Sequence, residues 1–137
     1  MPTSPLIDLV RAAPHIFLCG NGGSYANAMH IANDLIACGK RAYTLDPATL
    51  TAFANDYGYE HVFSRWLFMV GERGDLLIAL SGSGRSPNIR RAIRAATEIG
   101  MEVWKEFGAP KGLDMQAAEE AQIALGHELM RCLRQQN

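Results

Sequence analysis

Residues 74–101 read "GDLLIALSGSGRSPNIRRAIRAATEIGM". Five apolar residues, Leu76 to Leu80, run unbroken and then give way to Ser81-Gly82-Ser83-Gly84-Arg85-Ser86-Pro87. A continuous apolar run of that length suits a strand buried on both faces. Ser86 followed by Pro87 is a helix-start pattern, an N-cap hydroxyl and then proline at the first helical position. The spacing predicts a helix from Pro87 to Ile99, closed by Gly100, with a strand over Met101 to Trp104 after it.

The same order of strand, small-residue loop and helix occurs earlier, in "IFLCGNGGSYANAMHIANDL" from Ile16 to Leu35. His15 to Cys19 predicts a strand and Ser24 to Cys38 a helix, with Ala26, Met29, Ala32 and Ile36 spaced for burial and Gly39 as its stop. A short helix precedes them, Leu6 to Ala13, ended by Pro14. Between the two units the sequence predicts a strand over Arg41 to Leu45 and a short helix over Ala48 to Ala54. A turn at Asn55-Asp56-Tyr57-Gly58 and an amphipathic helix from Glu60 to Val70 follow. After a break at Lys111-Gly112, one long helix runs from Met115 to Leu133. Strand–loop–helix repetition is the mark of a parallel sheet covered by helices. The expected fold is therefore α/β: a three-layer sandwich with a parallel sheet of four to five strands and helices on both faces, flavodoxin-like. Four strands are counted. No internal repeat or linker divides the chain, so residues 1–137 read as a single domain.

Composition narrows the function. Of 137 residues, 48% are hydrophobic and 20% charged, and the net charge is −1. That balance gives no basic face for nucleic acid. No apolar run approaches the ~18 residues of a membrane helix, and Met1 to Ser4 begin no secretory signal. Cys19, Cys38 and Cys132 are odd in number and widely spaced, which implies small core residues in a reducing, cytoplasmic setting.

Ligands of open parallel sheets bind beyond the carboxyl ends of the strands, where both glycine loops fall. Glycine lets backbone approach a ligand closely, and the free N–H groups of the next helix favour an anion. With Ser81, Ser83 and Ser86 adding hydroxyls, the second loop reads either as a phosphate cradle or as a plain strand-to-helix turn whose serines cap. Arg85 within it either bonds phosphate or points into solvent. Arg90, Arg91 and Arg94 read as a solvated helix face, and His15 and His61 as structural or exposed. The first loop begins G-x-G-x-x-G at Gly20 but has Tyr25 at the third glycine, and "CGKR" at Cys38–Arg41 is no Walker A ending; a nucleotide cofactor is not expected. His30 and Asp34, four residues apart, share one helix face.

Three segments, "CGNGGSYANAMHIANDL", "LTAFANDYGYEHVFSRWL" and "GDLLIALSGSGRSPNIRRAIRAATEIGM", resemble the SIS (sugar isomerase) domain family, with a weaker continuation in "EEAQIALGHELMRCL". Within it they look most like the phosphoheptose isomerases. The resemblance implies an aldose–ketose isomerase that interconverts sedoheptulose 7-phosphate and D-glycero-D-manno-heptose 7-phosphate by acid–base proton transfer through an enediol. It implies that Ser81, Gly82, Ser83 and Ser86 hold the phosphate, that Asn21, Gly22 and Ser24 contact the sugar, and that Asp56 lies near its reacting end. Asp34 and His127 are implied as the catalytic pair, with base and acid roles undecided. It further implies a zinc site of His30, Asp34, Glu119 and His127, and a homotetramer with sites at subunit boundaries. Glu119 and His127 stand about 12 Å apart along one helix, so joint ligation by all four would draw on a second subunit.

The chain also departs from the family pattern. Asp34 replaces glutamate, Glu119 glutamine, Gln122 histidine and Gly82 threonine, and Cys38 falls where the family has arginine. The N-terminal helical segment is short, and the segment after Trp104 is reduced. Two other readings therefore stand beside the isomerase: a non-catalytic, regulatory phosphosugar-binding module, and an interaction protein that keeps the fold for assembly.

Overall fold

The structure is a computed structural model in which residues 4–107 and 114–135 are described. The described residues form six α-helices and four strands, in the order α1 (Ser4–Ala12), β1 (Ile16–Cys19), α2 (Gly23–Ala37), β2 (Ala42–Thr44), α3 (Pro47–Tyr57), α4 (Val62–Val70), β3 (Leu76–Leu80), α5 (Pro87–Ile99), β4 (Glu102–Glu106) and α6 (Met115–Arg134). A 3-10 turn, Tyr59–His61, leads into α4. The Lys111-Gly112 break lies outside the described residues.

All four strands are parallel, in the order β2-β1-β3-β4. Ile16 pairs with Ala42 on one side and Leu76 on the other, and Leu76 pairs with Glu102. Side chains alternate across the sheet. Ile16, Leu18, Leu76, Ile78 and Leu80 pack with α1, α2 and α6 on one face. Phe17, Cys19, Leu77 and Ala79 pack with α4 and α5 on the other. From the central pair, β1–α2–β2 and β3–α5–β4 run outward in opposite directions. Right-handed crossovers then require α2 and α5 on opposite faces, which is the arrangement found. The three-layer α/β fold expected from sequence is the fold observed.

Local expectations change: α4 starts at Val62 rather than Glu60, β2 is trimmed to Ala42–Thr44, and the last strand runs on to Glu106 rather than ending at Trp104. The buried stripe of α2 is Ser24, Ala28, Ile31, Ala32 and Leu35. Ala26 is exposed, and Met29 and Ile36 are 46% and 56% exposed. The helix is apolar on more than one face, and its rotation is set by the sheet and α6 rather than by its own pattern. α3 extends through Asn55 and Asp56, read from sequence as a turn. Asp46 caps its start by accepting from Thr49 N at 2.8 Å, Pro47 occupies the first turn, and Gly58 at φ 95° ends it. The last strand begins at Glu102 rather than Met101, because Met101 is still tied to Ala96 O of α5 at 2.9 Å.

Candidate active site

β1 and β3 lie side by side, and the chain leaves them toward opposite edges of the sheet. That makes the space beyond Cys19 and Leu80 the switch point of the sheet, the place where open α/β folds bind ligands. Four of the six buried polar residues among the described residues, Ser24, Ser81, Asn88 and Gln122, belong to elements around it. Burying polar groups costs free energy unless they are bonded, so their concentration there needs an account.

In the second loop, Ser81 Oγ accepts from Gly84 N at 2.9 Å and Ser83 Oγ from Arg85 N at 3.1 Å. Arg90 Nε donates to Gly84 O at 3.3 Å, so this member of the exposed arginine face holds the loop from outside. Gly84, at φ 68°, has the Phe107 ring against it. Ser86 occupies the N-cap of α5 in extended conformation, yet its hydroxyl makes no capping bond. Gly82 is covered by the Met115 side chain of α6. Arg85 is exposed.

The first loop is more enclosed. A Cβ on Gly20 would stand 2.7 Å from the Ser24 backbone, Gly22 adopts φ 55°, and the Glu119 carboxylate lies directly over Gly23. Asn21 and Asn88 exchange amide hydrogen bonds: Asn21 Nδ2 donates to Asn88 Oδ1 at 2.9 Å, and Asn88 Nδ2 to Asn21 Oδ1 at 2.8 Å. Tyr59 OH also donates to Asn21 Oδ1, at 2.6 Å. A cleft of about 270 Å³ opens between the loops, lined by Asn21, Tyr59, Glu60, Ser86, Pro87 and Asn88. Beside it, Tyr25 OH donates to Leu45 O. Burial, and then the nearby Asp46 and Tyr59, push the Tyr25 phenol above its ordinary range.

α6 is fixed to α2 by a polar seam and one close approach. Gln122 Nε2 donates to Ser24 Oγ at 3.0 Å, and Asn27 Nδ2 donates to Gln122 Oε1 at 2.8 Å and to Glu119 O at 2.9 Å. Gly126 meets Ile31 so closely that a Cβ there would lie 2.6 Å from Ile31 Cγ1. The pairs 24/122 and 31/126 advance together, so the two helices run parallel at this seam. The result is that His127 meets His30, Nε2 to Nε2 at 3.1 Å, and Asp34 Oδ2 lies 3.4 Å from His30 Nε2. Asp34 Oδ2 is buried without a hydrogen-bond partner. One ligand atom from each of His30, Asp34 and His127 falls within 4.8 Å of the others. Two imidazole nitrogens and an unsatisfied carboxylate oxygen are a donor set that fits zinc.

Of the residues expected from sequence, His30, Asp34 and His127 are brought together, and Ser81, Gly82, Ser83 and Ser86 form the second loop. Asn21 and Gly22 lie in the first loop, with Asn21 lining the cleft. Glu119 is not with the three; it sits over Gly23, as the helix spacing requires. Ser24 is 4% exposed and bonded to Gln122. Asp56 is exposed at the end of α3, accepting from Asn55 Nδ2 at 3.1 Å, and does not line the cleft. Burial pushes the Cys19 thiol up to about 12, which fits a core role, and all three cysteines are free. His61 lies 3.5 Å from Glu60, and His15 is 3.3 Å from Tyr43 OH. Sequence reasoning missed Asn27, Tyr59 and Asn88, and saw Gln122 only as a departure. Asn88 carried a signal: it falls on the apolar stripe of α5 with Ala92, Ala95 and Ala96, and a polar residue there must find a buried partner.

A SIS domain family model matches residues 5–104, from α1 into β4. The chain belongs to the SIS domain family. A phosphoheptose isomerase from Bradyrhizobium sp. (strain ORS 278) is 42% identical over 118 residues, covering 80% of this chain and 59% of that protein. One from Sodalis glossinidius is 40% identical over 129 residues, covering 89% and 66%. This SIS chain thus spans about three fifths to two thirds of the length of these relatives. Among solved structures, a phosphoheptose isomerase from Neisseria gonorrhoeae superimposes with a TM-score of 0.92 at 31% identity, over 98% of this chain and 85% of that one. No helix among the described residues of this SIS domain is long and apolar enough to cross a membrane.

Proposed function

We propose that the chain is a phosphosugar aldose–ketose isomerase acting on sedoheptulose 7-phosphate to give D-glycero-D-manno-heptose 7-phosphate. The observation that carries this reading is the trio His30, Asp34 and His127, gathered within 4.8 Å from two helices in a domain whose other end offers a serine-rich anion loop. Relatives named phosphoheptose isomerase support the substrate.

The reaction moves a proton between adjacent carbons and needs a base, an acid and a fixed substrate. The N–H groups opening α5 and the hydroxyls of Ser83 and Ser86 grip the phosphate, far from the reacting carbons. Remote binding energy then fixes those carbons. Of Asp34 and His127, one accepts the carbon-bound proton and the other handles the proton on the carbonyl oxygen. Zinc, if held by one atom each of His30, Asp34 and His127, would supply positive charge for an oxygen of the enediol, leaving the second carboxylate oxygen of Asp34 and the second ring nitrogen of His127 for the proton transfers.

On α2, His30 lies about 10 Å and Asp34 about 16 Å beyond Gly23. A seven-carbon sugar phosphate in the cleft between the loops reaches the level of His30 at best and falls short of Asp34 within one chain. This supports a homo-oligomer in which the trio of one subunit serves the cleft of another. A tetramer is the assembly we propose.

The test is NMR-monitored isomerisation of sedoheptulose 7-phosphate, with added zinc and with a chelator. Formation of the heptose phosphate, lost on chelation, is the expected result. Absence of turnover with the sugar phosphate still bound would replace the enzyme by a binding module. Mixing His127→Ala with Ser83→Ala protein should restore activity if sites are shared. Failure to complement, in protein that light scattering finds oligomeric, would place each site within one chain.

A further inference from the structure

The amide pair of Asn21 and Asn88 ties the first loop to the start of α5, and its geometry limits what the cleft can recognise. Asn88 is 2% exposed and sits on the apolar stripe of α5, where an amide persists only with both ends bonded. Its oxygen and nitrogen both go to Asn21. On the other side, Asn21 Oδ1 receives two donors, Asn88 Nδ2 and Tyr59 OH. An amide oxygen has two lone pairs and an amide nitrogen two hydrogens. Asn21 therefore has no acceptor left, and one N–H. A flip of Asn21 alone would set nitrogen against nitrogen and oxygen against oxygen across the pair, so this amide keeps its orientation as long as Asn88 keeps its own.

We propose that Asn88 is a positioning residue. It locks Asn21 as a donor-only group facing the cleft and holds that donor at a fixed distance from the serine loop. The ligand oxygen selected there is an acceptor, the carbonyl or a hydroxyl of an open-chain sugar whose phosphate lies on the second loop. Tyr59 completes the lock from the 3-10 turn. This inference rests on the phosphosugar reading of the site.

Calorimetric titration of the full chain with sedoheptulose 7-phosphate and, separately, inorganic phosphate tests it. Asn88→Ala removes the lock, and Asn88→Asp sets an oxygen against Asn21 Oδ1. Either should weaken sugar phosphate binding about tenfold, the worth of one or two neutral hydrogen bonds. Inorganic phosphate affinity should stay within about twofold, since its donors are on the other loop. Asn21→Ala/Asn88→Ala should bind no more weakly than Asn21→Ala, because the two act as one unit. Equal losses for both ligands, or additive losses in the double variant, would reduce Asn88 to a structural part of the second loop and overturn the proposal. If the substitutions unfold the chain, wild-type NMR decides. An Asn21 side-chain N–H that shifts with the sugar phosphate and not with phosphate supports the lock, and no difference overturns it. Turnover judges the isomerase reading separately. Lock-dependent binding without turnover would discard the enzyme and keep the lock; turnover with binding indifferent to Asn88 would do the reverse.

Discussion

The two glycine loops occupy equivalent places at the ends of neighbouring strands, yet they are finished differently. Over the first, α6 lays the Glu119 carboxylate on Gly23 and Gln122 on Ser24, so the start of α2 meets a negative charge from its own chain. The second keeps the Ser86 hydroxyl out of capping, and its neighbour from α6 is the uncharged Met115. A glycine loop opening a helix suits an anion only where the fold has not already placed a negative charge over the helix start. On the proposed reading the second loop grips the phosphate, while the first offers Asn21 to the cleft and carries the α2 start on which α6 rests.

That contrast can be broken most sharply at His127. His127→Ala should lower kcat on the order of a hundred- to ten-thousand-fold, the usual worth of a general acid or base, while sugar phosphate affinity stays near wild type. Unchanged turnover in a single-turnover assay would remove His127 from the chemistry. On the gripping side, Ser83→Ala should weaken binding by about 1.5–3 kcal/mol, as for a hydrogen bond to a charged group. An unaltered KM would put the phosphate elsewhere.

Gly126→Ala tests the foundation. Alanine favours a helix more than glycine does, but its methyl would collide with Ile31. We expect a net loss of about 1–2 kcal/mol, typical of overpacking, read in a denaturant melt, with turnover falling and inorganic phosphate affinity intact. A stabilised variant would mean that the α2–α6 seam has slack. Glu119→Gln removes the charge over Gly23 and should lower stability by about 0.3–1 kcal/mol, the scale of a carboxylate at a helix start, lost at high salt. A rise in stability would show that the carboxylate is strained there.

The smallest effect is expected at Glu106, whose backbone oxygen accepts from Ser81 N beside the second loop. Burial raises its carboxyl above the usual range, opposed by the Trp104 indole. A raised carboxyl favours the protonated form in the folded state. Its contribution is full below the ordinary carboxylate value and is lost as pH rises through the raised one. Glu106→Gln should therefore melt higher than wild type near neutral pH, with the gap closing toward about pH 4. A gap that is independent of pH would sink this account.

The fold was legible where punctuation and burial agreed. β3 and α5 were read to the residue, because an unbroken apolar run is followed by Ser86-Pro87 and later by Gly100. The rotation of α2 was not, since its sequence supports more than one apolar stripe and only α6 chooses between them. In the site, the serines of the second loop and the pairing of His30 with Asp34 follow from local spacing. The contact of Asn21 with Asn88 does not. It joins residues 67 apart in sequence, and no local pattern encodes a bond between two side chains that distant.

The close approach of α6 also has a consequence for birth on the ribosome. Leu125, Leu129, Cys132 and Leu133 of α6 cover the sheet face formed by Ile16, Leu18, Leu76, Ile78 and Leu80. Translation at about 5–20 residues per second takes roughly 3–10 s to go from Leu80 to Leu133. Within that interval α5 and β4 are made first, so for its later part the nascent sheet has its other face dressed by α4 and α5 and this one still short of a helix. The residue that finishes the trio and the residues that hide the greasy face arrive together, so a nascent chain that lacks His127 is also one whose exposed apolar face chaperones can recognise.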